Sequence, residues 1–105
     1  FDSKVWQYKL NRDLLMKSLP CIGFRDIIQP DGAFYLYADI SYFNCDSVVL
    51  VQKILQETGV AITSGRDFDS ARGHETVRFS FACSTDHVEE AINRLTLWFK
   101  NFTIC

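Results

Sequence analysis

The sequence predicts an α+β domain, in which a small antiparallel or mixed β-sheet of three to four strands carries helices on one face. First, segments with helical spacing of apolar residues alternate with segments whose apolar residues recur at every second position. Second, no internal repeat or low-complexity linker divides the 105 residues, a length that suits one domain. Third, apolar residues make up 48% of the chain, enough to form a packed core. The helix-free face of such a sheet must meet something else.

The first predicted helix can be capped by Asp2 or Ser3, and Pro20 and Gly23 are expected to end it. A short strand over residues 24–28 and a turn rich in Pro, Asp and Gly follow. The helical stripe expected to face the core consists of Val5, Tyr8 or Lys9, Arg12, Leu15 and Leu19.

A second strand is predicted over residues 33–40, where apolar side chains alternate with Tyr and Asp. Asp46 or Ser47 can cap the next helix, and Gly59 stands where a left-handed C-terminal residue is favoured. Residues 60–63 are expected to form a third strand. The stripe that this helix is expected to bury consists of Val48, Val51, Ile54 and Leu55.

Residues 64–73 read as a polar loop, and the strict alternation over residues 76–82 predicts a fourth strand. The last helix can be capped by Ser84 or Asp86, and the sequence does not choose between them. Its apolar stripe is the clearest in the chain and consists of Val88, Ala91, Ile92, Leu95, Trp98, Phe99 and Phe102.

Composition excludes several classes of partner. The net charge is −2 and no segment concentrates five like charges, so nucleic acid is not an expected partner. The longest apolar runs fall far short of the roughly 20 residues that a membrane helix needs, so a membrane is not expected either. We therefore expect a soluble, cytoplasmic protein.

The four cysteines, Cys21, Cys45, Cys83 and Cys105, form no C-x-x-C pair and have only two histidines to assist them. We expect all four to be free thiols, and no metal site.

Arg78 is the main candidate for chemistry, because it is the only charge on the outer face of the fourth strand. Its neighbours along that face are small: Thr76, Ser80 and Ala82. A guanidinium on a rigid strand can grip a carboxylate through two parallel hydrogen bonds. The alternative is that Arg78 pairs across the sheet with Asp39 or another acid and has no ligand. The strand pattern leaves both interpretations open.

The remaining polar clusters have ordinary structural explanations. His74 and Glu75 could form an acid–base pair, but neighbouring side chains are expected to point apart into solvent. Asp67 and Asp69 lack further oxygen ligands at calcium-loop spacing, and residues 64–66 are expected to form a turn rather than a phosphate loop. No Ser or Cys has a plausible base, so no catalytic residue is predicted.

Three blocks of the sequence are similar to three successive blocks in the C-terminal part of class I and II aminotransferases. They are P-D-G-A-F-Y-L-Y at 30–37, G-V-A-I-T-S-G-R-D-F at 59–68 and V-R-F-S-F-A at 77–82. Their order and separations also match, and the flanking helices extend the resemblance over nearly the whole chain. The segment S-G-R-D-F differs from the more usual P-G-x-x-F, which leaves the subgroup and the substrate open.

The resemblance implies that residues 1–105 are the C-terminal small domain of a pyridoxal-phosphate-dependent aminotransferase of fold type I. It implies that Arg78 binds the α-carboxylate of an amino acid or 2-oxo acid substrate. Pyridoxal phosphate would be bound by the large domain of a homodimeric enzyme, because no lysine here stands in the family's S-x-x-K context. The fragment alone would then be inactive. The alternatives are a stand-alone binding module, or the small domain of a related lyase, decarboxylase or synthase.

Overall fold

A computed structural model of the chain describes residues 3–101. Within them, three α-helices and four β-strands form the α+β arrangement that the sequence predicts. In chain order these are α1 (Ser3–Ile22), β1 (Arg25–Ile28), β2 (Tyr35–Asp39), α2 (Ser47–Thr58), β3 (Thr63–Ser64), β4 (Thr76–Ser80) and α3 (Thr85–Lys100).

The strands form one sheet in the order β1-β2-β4-β3, and each neighbouring pair is antiparallel. Of the two predicted sheet types, the antiparallel one is therefore present. Because side chains alternate along a strand, the sheet has two distinct faces. The inner face carries buried apolar side chains, namely Leu36, Ala38, Val77 and Phe79. The outer face carries Tyr35, Tyr37, Asp39, Thr76 and Arg78.

The core lies between the inner face and the three helices. Leu15 and Leu19 of α1, Leu50 of α2 and Leu95 of α3 are all buried in it. Aromatic packing adds order at one end of the core, where the Phe24 ring makes edge-to-face contacts. Its centroid lies 5.6, 5.0 and 5.4 Å from those of Phe43, Phe79 and Phe99.

The buried side of α1 differs from the predicted stripe. Asn11 is fully buried beside Leu15 and Leu19, whereas Val5 is exposed and Arg12 only half-buried. The predicted stripe is thus confirmed at Leu15 and Leu19 and wrong at Val5, and burial of the polar Asn11 was not predicted. The helix also continues past Pro20 to Ile22, since a proline in the last turn removes one N–H donor without preventing helical dihedrals.

Both later helices begin directly after an N-cap residue that the sequence predicts. Asp46 caps α2 by accepting a hydrogen bond from the Val48 N–H at 2.9 Å. Gly59 ends that helix with a φ of 80°. Ser84, rather than Asp86, caps α3.

The predicted α2 stripe was partly wrong: Leu55 is exposed, and Ser47 and Leu50 are buried instead. Phe102 of the predicted α3 stripe and the possible cap Asp2 lie outside the described residues.

The third strand is shorter than predicted and displaced, since residues 60–62 are irregular and only Thr63–Ser64 pair with β4. The predicted polar loop that follows contains two short 3-10 turns, Gly65–Asp67 and Gly73–Glu75.

Cysteine pairing corrects one expectation. Cys21 and Cys83 are free thiols, but Cys45 takes part in a disulfide, so the free-thiol prediction is wrong there. Sequence spacing does not show which cysteines approach each other in space. Cys105 lies outside the described residues. Among the described helices, none combines the length and apolar character needed to cross a membrane.

Candidate functional site

Arg78 lies at the middle of β4 on the outer face of the sheet. Its backbone stands opposite Tyr37 of β2 on one side and Thr63 of β3 on the other. A central strand holds the Cα in place from both sides, so only the side chain itself can move. The alternation of β4 therefore places the guanidinium where the sequence predicts it.

Two aromatic rings lie near the guanidinium of Arg78. Its Cζ lies 4.8 Å from the centroid of the Tyr35 ring and 5.4 Å from that of Phe68. No ion pair within residues 3–101 includes Arg78. The charge is thus available to an external anion.

Asp39, the proposed cross-sheet partner of Arg78, is engaged elsewhere. Its carboxylate accepts a hydrogen bond from the Ser41 N–H at 2.7 Å and lies 3.6 Å from the Arg72 guanidinium. Asp39 stands opposite Thr76 in the register, one same-face position away from the Tyr37–Arg78 pair. The alternative in which Asp39 neutralises Arg78 is therefore wrong.

The segment 65–75 brings Phe68 to the outer face, and two glycines make its fold possible. A Cβ on Gly65 would lie 2.0 Å from the Thr76 Oγ1 and 2.7 Å from the Gly73 carbonyl oxygen. A Cβ on Gly73 would lie 2.6 Å from the Arg66 Cα. All three distances are far inside van der Waals contact, so each site accepts only glycine without rearrangement.

Buried hydroxyl groups fasten the same segment to α2. The Ser47 hydroxyl donates to the Gly73 carbonyl oxygen at 2.6 Å and lies 2.7 Å from the Ser64 hydroxyl. Both serines are buried, so these bonds are shielded from competing water. They fix the two ends of the segment against each other.

An ion pair adds a third attachment. The Arg66 Nε lies 3.1 Å from both carboxylate oxygens of Asp46, the residue that caps α2. The hydrogen bond from Arg66, followed by that from the Val48 N–H, lowers the pKa of Asp46 to about 2. Phe68 is thus carried by a segment tied to α2 at several points.

The outer-face rings contact one another as well as Arg78. The Phe68 ring stacks on Tyr37 with centroids 4.8 Å apart, and the Tyr35 and Tyr37 centroids are 5.3 Å apart. Interaction with the Tyr35 side chain, followed by burial, raises the pKa of Tyr37, although the nearby Arg78 opposes the rise. Tyr37 is therefore neutral at physiological pH.

A cleft of about 330 Å³ opens beside this cluster. Its lining includes Tyr37, Phe68, Asp39, Asp69 and Arg72, whereas Arg78 is not among the described lining residues. Phe68 thus belongs both to the cleft lining and to the ring contacts of Arg78.

The weaker candidates have structural roles. The Asp69 carboxylate accepts hydrogen bonds from the N–H groups of Arg72 and Ala71, which lower its pKa. His74 Nε2 lies 3.5 Å from Glu75 Oε1, so the expectation that these side chains point apart is wrong, although both are solvated. Within residues 3–101, no three His, Cys, Asp or Glu side chains cluster closely enough to hold a metal.

Phe68 was not predicted from the sequence as a neighbour of Arg78. Phe68 comes ten residues before Arg78, in a segment predicted only as a polar loop. A single phenylalanine among polar residues was the available signal, since such a ring must find a partner surface.

Comparison with known proteins identifies the family. The family model described as aminotransferase class I and II matches residues 1–95. This chain belongs to that family. The valine–pyruvate aminotransferase of Mycobacterium tuberculosis is 46% identical over 97 residues, which are 92% of this chain and 25% of that protein. The aspartate aminotransferase of Bacillus subtilis is 36% identical over 97 residues, covering 88% of this chain and 23% of that protein.

Solved aminotransferase structures share the fold. An aminotransferase from Mycobacterium tuberculosis superposes with a TM-score of 0.90 at 44% identity, covering 96% of this chain and 26% of that one. The aromatic aminotransferase of Pyrococcus horikoshii gives a TM-score of 0.76 at 30% identity, covering 87% and 24%. The chain thus spans about a quarter of the aminotransferases it matches.

The described residues do not fit the covalent attachment of pyridoxal phosphate, which requires a lysine amine beside the bound substrate. All five lysines lie on the helices, away from the outer sheet face that carries Arg78. They are Lys4, Lys9, Lys17, Lys53 and Lys100. The described residues thus place no lysine amine on that face.

Proposed function

We propose that this chain is the C-terminal small domain of a pyridoxal-phosphate-dependent aminotransferase, and that its Arg78 binds the substrate's α-carboxylate. The parent enzyme would move an amino group between an amino acid and a 2-oxo acid. One observation carries the proposal: the outer-face guanidinium has ring neighbours and no acidic partner among residues 3–101. Family membership supports the reaction class, since the named relatives are aminotransferases.

The proposed role of Arg78 is to position the substrate. A guanidinium offers parallel N–H donors that match the two oxygens of a carboxylate, and each charge-assisted bond contributes about 1.5 to 3 kcal/mol. Holding the carboxylate fixes the orientation of the substrate's Cα relative to the reacting groups. A small domain that moves toward the rest of the enzyme would also exclude water from the site.

The remaining functional groups are assigned to the rest of the parent enzyme, including the cofactor site. Isolated residues 1–105 should therefore show no aminotransferase activity. The large domain of the same chain and a second copy in a homodimer are the proposed partners. Relatives named for valine–pyruvate and for aspartate both match this chain, so the proposed substrate is given as a class, an amino acid and a 2-oxo acid.

Arg78→Lys in the complete enzyme tests the proposal. Lysine keeps the charge but loses the planar fork, so we expect kcat/KM to fall about 10- to 100-fold while cofactor absorbance is unchanged. Arg25→Lys is the matched control, because Arg25 also lies over a tyrosine ring, 4.2 Å from that of Tyr42, on edge strand β1. Equal kcat/KM values for Arg78→Lys and wild type would show that Arg78 does not bind the substrate's carboxylate.

A further inference from the structure

Arg78 and three aromatic side chains contact one another in sequence, so that each of the four touches two others. The Tyr35 ring meets Tyr37 at 5.3 Å, Tyr37 meets Phe68 at 4.8 Å, and the Arg78 Cζ lies 5.4 Å from Phe68 and 4.8 Å from Tyr35. Two of these rings come from β2, whereas Phe68 comes from the 65–75 segment. Each group is therefore restrained by two others.

Ring contacts and ion pairs have different consequences for an arginine. A carboxylate would occupy the N–H donors that a ligand needs, whereas an aromatic face attracts the positive charge through its quadrupole. Arg78 donates no hydrogen bond that involves another of residues 3–101, so its N–H groups stay available. The rings can therefore hold the guanidinium without neutralising it.

Phe68 is placed by contacts within its own segment and by a contact with β2. Its backbone N–H donates to the Gly65 carbonyl oxygen at 3.1 Å, within the segment that Gly65 and Gly73 hold together. Its ring stacks on Tyr37 with an interplanar angle of 29°. These contacts place the ring beside Arg78.

We infer that Phe68 is a positioning residue for Arg78. Its ring restrains the guanidinium in the orientation that receives the substrate's carboxylate. This restraint lowers the entropy cost of ordering the Arg78 side chain when the substrate binds. The inference rests on the proposed role of Arg78 and adds a residue from a different element to the same site. Phe68 acts through Arg78 and not on the reacting atoms.

The test uses two substitutions in the complete enzyme. Phe68→Leu keeps an apolar side chain but removes the ring face, and Phe68→Tyr restores the ring. The matched control is Tyr42→Leu, which removes a ring that also lies over an arginine and stacks on a phenylalanine, Phe43. Steady-state KM and kcat are measured for each variant, together with inhibition constants for a substrate analogue that bears a carboxylate and for its carboxamide counterpart.

We expect Phe68→Leu to raise KM, and the inhibition constant of the carboxylate analogue, about 3- to 20-fold, from the range of cation–π contributions. The inhibition constant of the carboxamide analogue and the kcat should change less than about twofold, because only binding of the carboxylate is affected. Phe68→Tyr and Tyr42→Leu should resemble wild type. A general structural defect would weaken both analogues alike.

Two results would overturn the inference while leaving the proposed function intact. If Arg78→Lys impairs the enzyme but Phe68→Leu leaves carboxylate binding unchanged, Phe68 has no positioning role. If Phe68→Leu weakens the carboxylate and carboxamide analogues equally, its role is structural only. If Arg78→Lys itself has no effect, the proposed function fails and the inference fails with it.

Discussion

Asn11 joins the first helix to the connection between the last strand and the last helix. Its Nδ2 donates to the carbonyl oxygens of Phe81 at 3.0 Å and Cys83 at 2.7 Å, and its Oδ1 accepts from the Thr85 hydroxyl at 2.7 Å. The side chain is completely buried, so water cannot replace these bonds. One amide thereby fixes the backbone that continues from the strand carrying Arg78.

Asn11→Ala should lower the free energy of unfolding by about 2 to 4 kcal/mol, because it leaves buried acceptors without donors. Urea denaturation measures the change. Asn93→Ala is the control, since Asn93 is exposed on α3 and should shift stability by less than about 0.5 kcal/mol. Equal effects of the two substitutions would show that the Asn11 bonds contribute no net stability.

How far single residues could be predicted depends on where their neighbours come from. The outward direction of Arg78 followed from the alternation of one strand, so the sequence was sufficient. The pairing of Asp39 with Arg72 was not accessible, because Arg72 reaches the sheet from an irregular segment. Asn11 was missed because a polar residue in a helix is ordinarily assigned to the surface.

At the scale of elements, the 65–75 segment determines where Phe68 lies. Its position depends on Gly65 and Gly73, on the buried hydroxyls of Ser47 and Ser64, and on the Arg66–Asp46 ion pair. None of these attachments is a regular secondary-structure contact. The segment is therefore held by contacts that helix and strand patterns do not show.

Gly65→Ala in the complete enzyme should displace this segment, because the new Cβ would lie 2.0 Å from the Thr76 Oγ1. We expect a several-fold higher KM as well as a stability loss of about 1 to 3 kcal/mol. Gly32→Ala is the control: it strains a φ of +72° but meets nothing within 4 Å, so stability should fall without a change in KM. An unchanged KM for Gly65→Ala would show that the position of this segment does not affect substrate binding.

The cap of α2 gives a prediction about pH. The pKa of Asp46 is about 2 in the folded chain against an ordinary 3.8, so its ionised form stabilises the fold above about pH 4. That contribution is lost as the pH falls through about 2. Asp46→Asn keeps a capping oxygen but removes the charge that pairs with Arg66.

The stability difference between wild type and Asp46→Asn should therefore be largest above pH 4 and disappear toward pH 2. Thermal unfolding across this range measures it, and comparing the two proteins cancels the titration of other acids. A difference independent of pH would exclude the ion pair as its cause.

Helix ends were predicted better than strand ends. Caps such as Asp46, Gly59 and Ser84 act through local backbone geometry, which a short sequence window contains. The extent of β3 depends instead on which of residues 60–64 find partners on β4, and only Thr63 and Ser64 do. A local sequence pattern does not show which distant segments pair as strands.

At the scale of the whole molecule, α1 leaves several apolar side chains exposed to solvent. They are Val5, Trp6, Leu10 and Met16. Exposed apolar patches favour association, so we expect the isolated chain to self-associate.

Leu10→Gln should reduce that self-association, because Leu10 is 53% exposed on α1. Leu97→Gln on α3 is the control, since Leu97 is 63% exposed but lies on a different helix. Sedimentation velocity at increasing concentration measures the effect. A monomeric wild-type chain at high concentration would contradict the expectation.

The most direct measurement of the central claim is a crystal structure of the complete enzyme with a bound amino acid or 2-oxo acid. The account predicts two nitrogens of Arg78 at about 2.7 to 2.9 Å from the two α-carboxylate oxygens. A carboxylate held by other residues, with the Arg78 guanidinium turned away from it, would contradict the account.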